Sequence, residues 1–244
     1  MRNAGVPDCW SYGRRASYQS NESFLQTYRY HTQCKGQVRS RRGYKDRTRP
    51  PLECGHLKGG KIPVEFGRSG REEGGVVWMG QTAPVFGKTF DRGWVGRLLG
   101  LRDGRIDSDY PVQEVSTGLP AILVPLKDLA ALRQCEVDRK GYFELIQGSG
   151  AKALFAFSPE PYNEENDLSA RFFADYYGVP EDPATGSAGG CLAGHLLRYG
   201  YLGEGPVDVG VEQGHEIGRP SLLYLRAGEN RNGGMRVSVG ARWR

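Results

Sequence analysis

The sequence lacks any run of apolar residues as long as a membrane-spanning helix needs, which is about 18 residues. Its first residues, Met1 to Gly13, contain no apolar core of the kind that a secretory signal peptide carries. The sequence therefore indicates neither a membrane protein nor a secreted one. We expect a soluble protein in the cytoplasm with no membrane partner.

The cysteines show no pattern of pairing. Their number is odd and no two have the C-x-x-C spacing, which excludes a disulfide framework and a structural zinc site as expectations. Reduced thiols and no metal are expected. The five cysteines are Cys9, Cys34, Cys54, Cys135 and Cys191.

Glycine is abundant but has no Gly-X-Y period, which excludes collagen. The 36 glycines among 244 residues instead indicate many tight turns between short strands. Apolar residues make up 38% of the chain, enough to bury a core. A β-rich globular protein is expected.

Basic charge is concentrated in the first 60 residues. Twelve Lys and Arg against four Asp and Glu give residues 1–60 a net charge of +8, whereas the whole chain carries +5. This segment shows no sustained period, and the stretch Arg39 to Pro51 cannot bury an apolar face. We interpret residues 1–60 as an atypical, poorly ordered basic segment.

Two functions are open for this segment. A basic patch with interleaved aromatics is typical of nucleic-acid or acidic-membrane binding, and aromatics occur here at Tyr28, Tyr30 and Tyr44. A solvated tail or non-native sequence explains the same composition, and we favour it, so a nucleic-acid partner is not expected.

From Lys61 onward the pattern becomes that of a folded domain dominated by strands. We expect a hairpin from residues 62–66 and 75–79, and a boundary near Gly104 to Tyr110. Further strands are expected at 112–115, 121–126, 153–157, 170–174, 222–225 and 235–239. Helices are expected at 90–99, at 127–135 and in a segment that ends near Tyr199.

One segment carries chemistry: Glu181-Asp182-Pro183-Ala184-Thr185-Gly186-Ser187-Ala188. Pro183 disfavours a helical backbone at Asp182, and Thr185 is placed to cap the helix that follows. The first helical turn has no bulky side chain, so its unpaired N–H groups can bind an anion such as a carboxylate. We expect Asp182 at the mouth of this helix.

The body of the same helix is unusually rich in Ala and Gly, which indicates that it is packed tightly inside a sheet. The alternative is a helix start with a close-packed interface and no ligand; we favour the functional interpretation. His195 and Cys191 lie further along this helix, and we interpret both as packed residues rather than catalysts.

At these residues the sequence resembles the PhzF family, relatives of diaminopimelate epimerase. Glu181 to Ala188 matches the hallmark motif of that family, and further matches occur at 115–120, 211–214 and 218–221. The resemblance covers roughly residues 61–244. It implies an α+β fold of the diaminopimelate epimerase type, with two lobes that each curl an antiparallel sheet around a central helix.

The resemblance also implies proton movement without a cofactor, at a carbon of a small carboxylate-bearing metabolite. Asp182 would act near the reacting atom. Because its ordinary pKa is near 3.9, either burial raises this pKa so that Asp182 donates a proton at neutral pH, or Asp182 orients the substrate instead. Substrate binding would involve Thr117, Gly118, Thr185, Gly186, Ser187 and Ala188. Residues 61–108 would be the remainder of the N-terminal lobe, residues 109–244 would be the C-terminal lobe, and a homodimer is possible.

The first part of the chain departs from the family. Family members carry an acid/base glutamate in a Ser-Glu-Thr-Thr-Phe-like motif and later a Gly-His pair, and here only Glu22 and His56 offer a faint match. We keep both as candidate catalytic residues, although their surroundings differ from those in the family and favour a coincidental match. We hypothesise that the reading frame before residue 57 is displaced and that the first lobe is incomplete. An inactive remnant that binds small carboxylates is therefore the alternative function.

Overall fold

The computed structural model describes residues 52–57, 60–67, 75–230 and 233–242, and these ranges contain twelve strands and four α-helices. The strands are β1 (Leu52–Leu57), β2 (Gly60–Gly67), β3 (Val76–Gly80), β4 (Val85–Thr89), β5 (Gln113–Ser116), β6 (Pro120–Pro125), β7 (Leu154–Ser158), β8 (Leu168–Ala174), β9 (Val179–Asp182), β10 (Val207–Gln213), β11 (Ser221–Glu229) and β12 (Met235–Arg242). The helices are α1 (Arg92–Leu98), α2 (Leu129–Gln134), α3 (Arg139–Gln147) and α4 (Gly186–Tyr199).

The described strands form one sheet in the order β1-β2-β3-β12-β11-β10-β8-β7-β6-β5-β4, and β9 pairs with β8 outside this path. The expected α+β class is confirmed. The sheet is mixed rather than purely antiparallel, because β6 pairs with β7 and β8 pairs with β10 in parallel. A parallel pair needs a long crossover, and α2 and α3 supply it between β6 and β7.

Helix α4 lies against one face of the sheet and contacts β5 and β6 as well as β10, β11 and β12. Its small residues make this close packing possible. A Cβ on Gly189 would lie 2.9 Å from Leu225 Cδ2, and a Cβ on Gly194 would lie 2.5 Å from Pro84 Cγ. The prediction of a small-residue helix packed inside the sheet is therefore confirmed.

Helices α1, α2 and α3 cover the other face of β6 and β7 and form a second core. Ile122, Val124 and Leu154 point into it and are completely buried, as is Tyr142 of α3. Strands β6 and β7 are thus covered on both faces, which explains why their sequences read as continuous apolar runs.

The hairpin expected at 62–66 and 75–79 is present as β2 paired antiparallel with β3. Strand β1 lies in the segment 1–60 that we interpreted as poorly ordered, whereas residues 1–51 lie outside the described residues. Strands on both sides of the boundary expected at Gly104 to Tyr110 join the same sheet, since β4 pairs with β5. The division into two lobes stays a prediction.

Sequence patterns missed β4, β9, β10 and α3. Strand β4 is mostly exposed and so shows no alternation of apolar residues. In β10 the apolar pattern is interrupted by Gly210 and by Glu212, which is buried because its carboxylate accepts hydrogen bonds from Tyr162 N at 2.6 Å and Asn163 N at 3.1 Å.

Candidate active site at the mouth of helix α4

A short loop connects β9 to α4 and presents Asp182. Asp182 is the last residue of β9 and pairs with Phe172 of β8, so its backbone is extended, as expected for the residue before Pro183. Ala184 follows and is buried, Thr185 is the helix N-cap by position, and α4 begins at Gly186. The strand and the helix fix Asp182 at the helix mouth.

Gln213, at the end of β10, binds this loop through its side chain. Its side chain is completely buried. The Nε2 group donates to the Asp182 carbonyl at 2.6 Å and to Thr185 Oγ1 at 3.1 Å, and the Oε1 atom accepts from the Thr185 N–H at 3.2 Å. Three hydrogen bonds from one side chain thus tie both ends of the loop to the sheet.

Gly214 lets the chain turn directly behind Pro183. Its φ of +85° is favourable only for glycine among the ordinary residues. A Cβ at this position would lie 2.4 Å from the Arg219 carbonyl and 3.0 Å from Pro183 Cα. Gly214 is therefore required by close packing against the loop that carries Asp182.

Thr185 does not cap the helix with its side chain, contrary to the prediction. No cap hydrogen bond reaches its hydroxyl; instead the hydroxyl donates to Asp182 Oδ2 at 2.5 Å. The hydroxyl is engaged by two other partners: its oxygen accepts from Gln213 Nε2 at 3.1 Å, and its proton goes to the Asp182 carboxylate. Thr185 thus donates a hydrogen bond to Asp182 instead of capping the helix with its side chain.

The first turn of α4 has three amide donors without an intrahelical acceptor. The first intrahelical bond at this end runs from the Gly189 N–H to the Thr185 carbonyl at 2.9 Å. The N–H groups of Gly186, Ser187 and Ala188 precede that bond and have no intrahelical acceptor. Gly186 and Ala188 are buried, whereas Ser187 remains partly exposed.

The loop after β5 closes one side of the same turn. Thr117 Oγ1 donates to the Ser187 carbonyl at 3.3 Å, and a Cβ on Gly190 would lie 2.9 Å from this Oγ1 atom. Gly118 follows with a φ of +128° and has open space around it. The structure therefore brings Thr117 and Gly118 together with residues 182–188, although these two segments lie far apart in sequence.

Burial raises the pKa of the Asp182 carboxyl above its ordinary value, and the Thr185 hydrogen bond and the charge of Arg219 oppose that rise. The raised pKa is in the direction that a proton donor requires. Within the described part of the chain, Oδ1 accepts no hydrogen bond, and it is not among the atoms sealed from solvent. Asp182 therefore has one engaged oxygen and one available oxygen.

A buried ion pair anchors β9 just before Asp182. Arg171 Nε and Nη2 bind Glu181 Oε1 and Oε2 at 3.0 and 2.8 Å, and Nη1 donates to the carbonyls of Leu132 and Cys135. Both side chains are about nine-tenths buried. Sequence reasoning missed Arg171, although a charged residue within an otherwise apolar strand is a signal of such a pair.

His195 and Cys191 of α4 are packed residues, as predicted. Both are completely buried. His195 Nε2 lies 3.3 Å from the Pro111 carbonyl, and burial lowers its pKa to about 4, so the ring is neutral. Burial raises the pKa of the Cys191 thiol.

The two candidate acid/base residues in the first part of the chain are not placed. Glu22 lies outside the described residues. The backbone of His56 belongs to β1 and pairs with Lys61 of β2, but its side chain lies outside those that the structure describes. Both assignments stay predictions.

A separate groove of about 260 Å³ lies on the outer face of β2, β3, β11 and β12. Its wall includes Trp78 and Arg226. The Arg226 guanidinium lies 3.8 Å from the centre of the Trp78 ring and pairs with Asp208 at 3.1 Å. This arginine is thus already engaged by an aromatic ring and a carboxylate, and Arg236 also lines the groove.

Within the described ranges, no group of three or more His, Cys, Asp or Glu side chains could hold a metal ion. The same part of the chain contains no helix long and apolar enough to cross a membrane.

Comparison with known proteins places the chain in a family. The sequence model of the PhzC-PhzF family, described as phenazine biosynthesis-like protein, matches residues 52–242. The chain belongs to this family, which confirms the resemblance. The match begins at residue 52 and so includes β1, a few residues earlier than the sequence patterns indicated.

Curated relatives are named isomerases. An uncharacterized isomerase from Deinococcus radiodurans is 37% identical over 155 residues, which are 61% of this chain and 49% of the relative. A trans-2,3-dihydro-3-hydroxyanthranilate isomerase from Pseudomonas chlororaphis is 36% identical over 124 residues, which are 51% of this chain and 41% of the relative. The chain spans about half the length of the curated relatives it matches.

Solved structures share the fold. A PhzF-family phenazine biosynthesis protein from Bacillus anthracis superposes with a TM-score of 0.69 at 24% identity, over 78% of this chain and 64% of the other. A protein described as a predicted epimerase from Pseudomonas aeruginosa gives a TM-score of 0.61 at 28% identity, over 83% of this chain and 68% of the other.

Proposed function

We propose that this chain acts as a PhzF-like isomerase or epimerase that moves a proton on a small carboxylate-bearing metabolite without a cofactor. The observation that carries the proposal is the placement of Asp182, with an available Oδ1, beside the unpaired amides of the first turn of α4. Membership of a family whose curated relatives are named isomerases supports it.

The amides of Gly186, Ser187 and Ala188 would bind the substrate carboxylate, assisted by the helix dipole. This contact orients the substrate and leaves its neighbouring carbon in front of Asp182. Thr117, which donates to the Ser187 carbonyl, and Gly118, which has open space around it, would form the opposite wall.

Asp182 would exchange the proton. In its carboxylate form, Asp182 takes a proton through Oδ1 from a substrate carbon, and the electron pair of the broken C–H bond is delocalised over the neighbouring unsaturated or carboxylate group. The protonated carboxyl then gives this proton to a carbon of the same delocalised anion, whose electron pair forms the new C–H bond, and Asp182 is a carboxylate again. Burial keeps the protonated form available at higher pH than for an exposed aspartate.

The alternative function is an inactive remnant that binds small carboxylates. It is favoured by the absence of a Ser-Glu-Thr-Thr-Phe-like motif from residues 1–244. Such a remnant would keep the carboxylate site at α4 but lack the acid/base glutamate. A cytoplasmic location and a homodimer remain part of the leading proposal.

The test is solvent exchange in D2O with trans-2,3-dihydro-3-hydroxyanthranilate, the compound in the name of one relative, and with other small carboxylates. We expect deuterium at one substrate carbon, detected by mass spectrometry, and its loss in Asp182→Asn. Asp208→Asn is the matched control, because Asp208 is exposed and engaged by Arg226 on the far side of the sheet. Binding without exchange would instead support the remnant.

A further inference from the structure

The hydrogen bonds of Gln213 are consistent with only one orientation of its side-chain amide. A backbone N–H can only donate and a backbone carbonyl can only accept. The Thr185 N–H therefore identifies the acceptor end of the Gln213 amide, and the Asp182 carbonyl identifies the donor end. Two independent backbone partners thus fix the orientation of this buried side chain.

This orientation determines what the Thr185 hydroxyl does. Gln213 Nε2 lies 3.1 Å from Thr185 Oγ1 and must donate to it. Since the hydroxyl oxygen accepts that bond, its own proton is directed to the remaining partner, Asp182 Oδ2. The chain of donors therefore runs from Gln213 through Thr185 to Asp182.

We propose that Gln213 and Thr185 are positioning residues: they form a hydrogen-bond relay of fixed direction that commits Asp182 Oδ2 to accepting and reserves Oδ1 for proton exchange with the substrate. The assignment of Oδ2 depends only on the hydrogen bonds, whereas the role of Oδ1 rests on the proposed function. A proton on Oδ2 would meet the Thr185 proton, so the protonated form carries its proton on Oδ1.

Few other groups near Asp182 influence its pKa. Phe172 of β8 lies opposite it, and Gln213 of β10 is uncharged. Of the described residues, Arg219 is the charged group that acts on Asp182, and it lowers the pKa as Thr185 does. The neighbouring Glu181 is paired with Arg171. Removal of the relay should therefore shift the pKa of Asp182, and the titration of this one carboxyl is enough to detect it.

The test compares Thr185→Val, which keeps the shape of the side chain but removes the hydroxyl, with Thr185→Ser, which keeps the hydroxyl. The Asp182 carboxyl is followed by 13C NMR in the full-length protein without substrate, and Asp182→Asn assigns its signal. We expect the midpoint in Thr185→Val to move to higher pH by about one pH unit or more, as for a lost hydrogen bond to a charged group. Thr185→Ser should titrate like the wild type.

Gln213→Met provides a second variant of similar size and no charge: it cannot donate to Thr185 Oγ1, and it should also move the Asp182 midpoint to higher pH. An unchanged midpoint in Thr185→Val would overturn the relay, and so would an equal shift in Thr185→Val and Thr185→Ser, which would indicate packing rather than the hydroxyl.

The same variants separate the relay from the proposed function. In the D2O assay, we expect the pH profile of exchange by Thr185→Val to move in step with its NMR midpoint. If the NMR midpoints behave as expected while even the wild type exchanges no deuterium, the relay stands and the isomerase proposal fails. If the wild type exchanges deuterium but the midpoints do not respond, the relay is refuted and the isomerase proposal stands.

Discussion

The Arg171–Glu181 pair predicts that a substitution away from the proposed substrate site should destabilise β9 and α4 together. Arg171→Met removes a guanidinium whose side chain is 9% exposed and leaves the Glu181 carboxylate, 10% exposed, without its partner. Removing one member of a buried pair typically costs about 3–5 kcal/mol. Against a total stability of roughly 5–15 kcal/mol, this loss is large.

The matched control is Arg139→Met. Arg139 binds Asp175 at 2.6 Å, but its side chain is 77% exposed, so solvent screens the pair. We expect this variant to lose at most about 1 kcal/mol. Urea unfolding followed by circular dichroism gives the free energy of unfolding for both variants.

A double variant, Arg171→Met with Glu181→Leu, should recover part of the loss, because it removes the carboxylate nearest to the guanidinium, whereas Glu216, 3.7 Å from Arg171 Nε, still loses its partner. Equal destabilisation by Arg171→Met and Arg139→Met would refute this reasoning, as would a double variant that is no more stable than Arg171→Met alone.

Three further predictions concern the helix and the charge on Asp182. Gly194→Ala should lower the free energy of unfolding, measured by thermal unfolding, by about 1–3 kcal/mol, because the new Cβ would lie 2.5 Å from Pro84 Cγ. The control Gly96→Ala in α1, where the atom nearest to the new Cβ is 3.7 Å away, should not destabilise the protein. Equal effects would contradict the packing of α4. Arg219→Gln should move the Asp182 titration measured by 13C NMR to higher pH, since Arg219 lowers that pKa, and an unchanged midpoint would remove Arg219 from the site. Because the folded-state pKa of Asp182 is raised above its unfolded value, the stability cost of ionisation grows as the pH rises from the unfolded-state pKa to the folded-state pKa and is constant above it. Asp182→Asn should therefore unfold at higher urea than the wild type at neutral pH, and this advantage should disappear as the pH falls below the unfolded-state pKa. A pH-independent difference would contradict the burial of the carboxyl.

The parts of the site that depend on local chemistry could be predicted from the sequence. Pro183 places Asp182 in an extended backbone, and the small residues of α4 indicate a helix that lies close to its neighbours. Both features follow from steric rules that act within a few residues. They located the mouth of α4 without any knowledge of the fold.

The parts that depend on distant residues could not be predicted in the same way. Gln213 contacts the loop across about thirty residues of sequence, and its segment was noticed only as a family match. Arg171 of β8 reaches the carbonyls of Leu132 and Cys135 because the end of α2 packs against β7 and β8. Thr185 was wrongly expected to cap α4 with its side chain, since the local rule ignored Gln213, which donates to the Thr185 hydroxyl, and Asp182, which accepts from it.

The central claim is that the first turn of α4 binds a carboxylate beside Asp182, and 1H–15N NMR of the full-length protein tests it most directly. Titration with anthranilate should give saturable shifts at the amides of Gly186, Ser187 and Ala188, whereas the uncharged anthranilamide should not. Shifts confined to the groove at Trp78 and Arg226, or equal shifts with both compounds, would contradict the account.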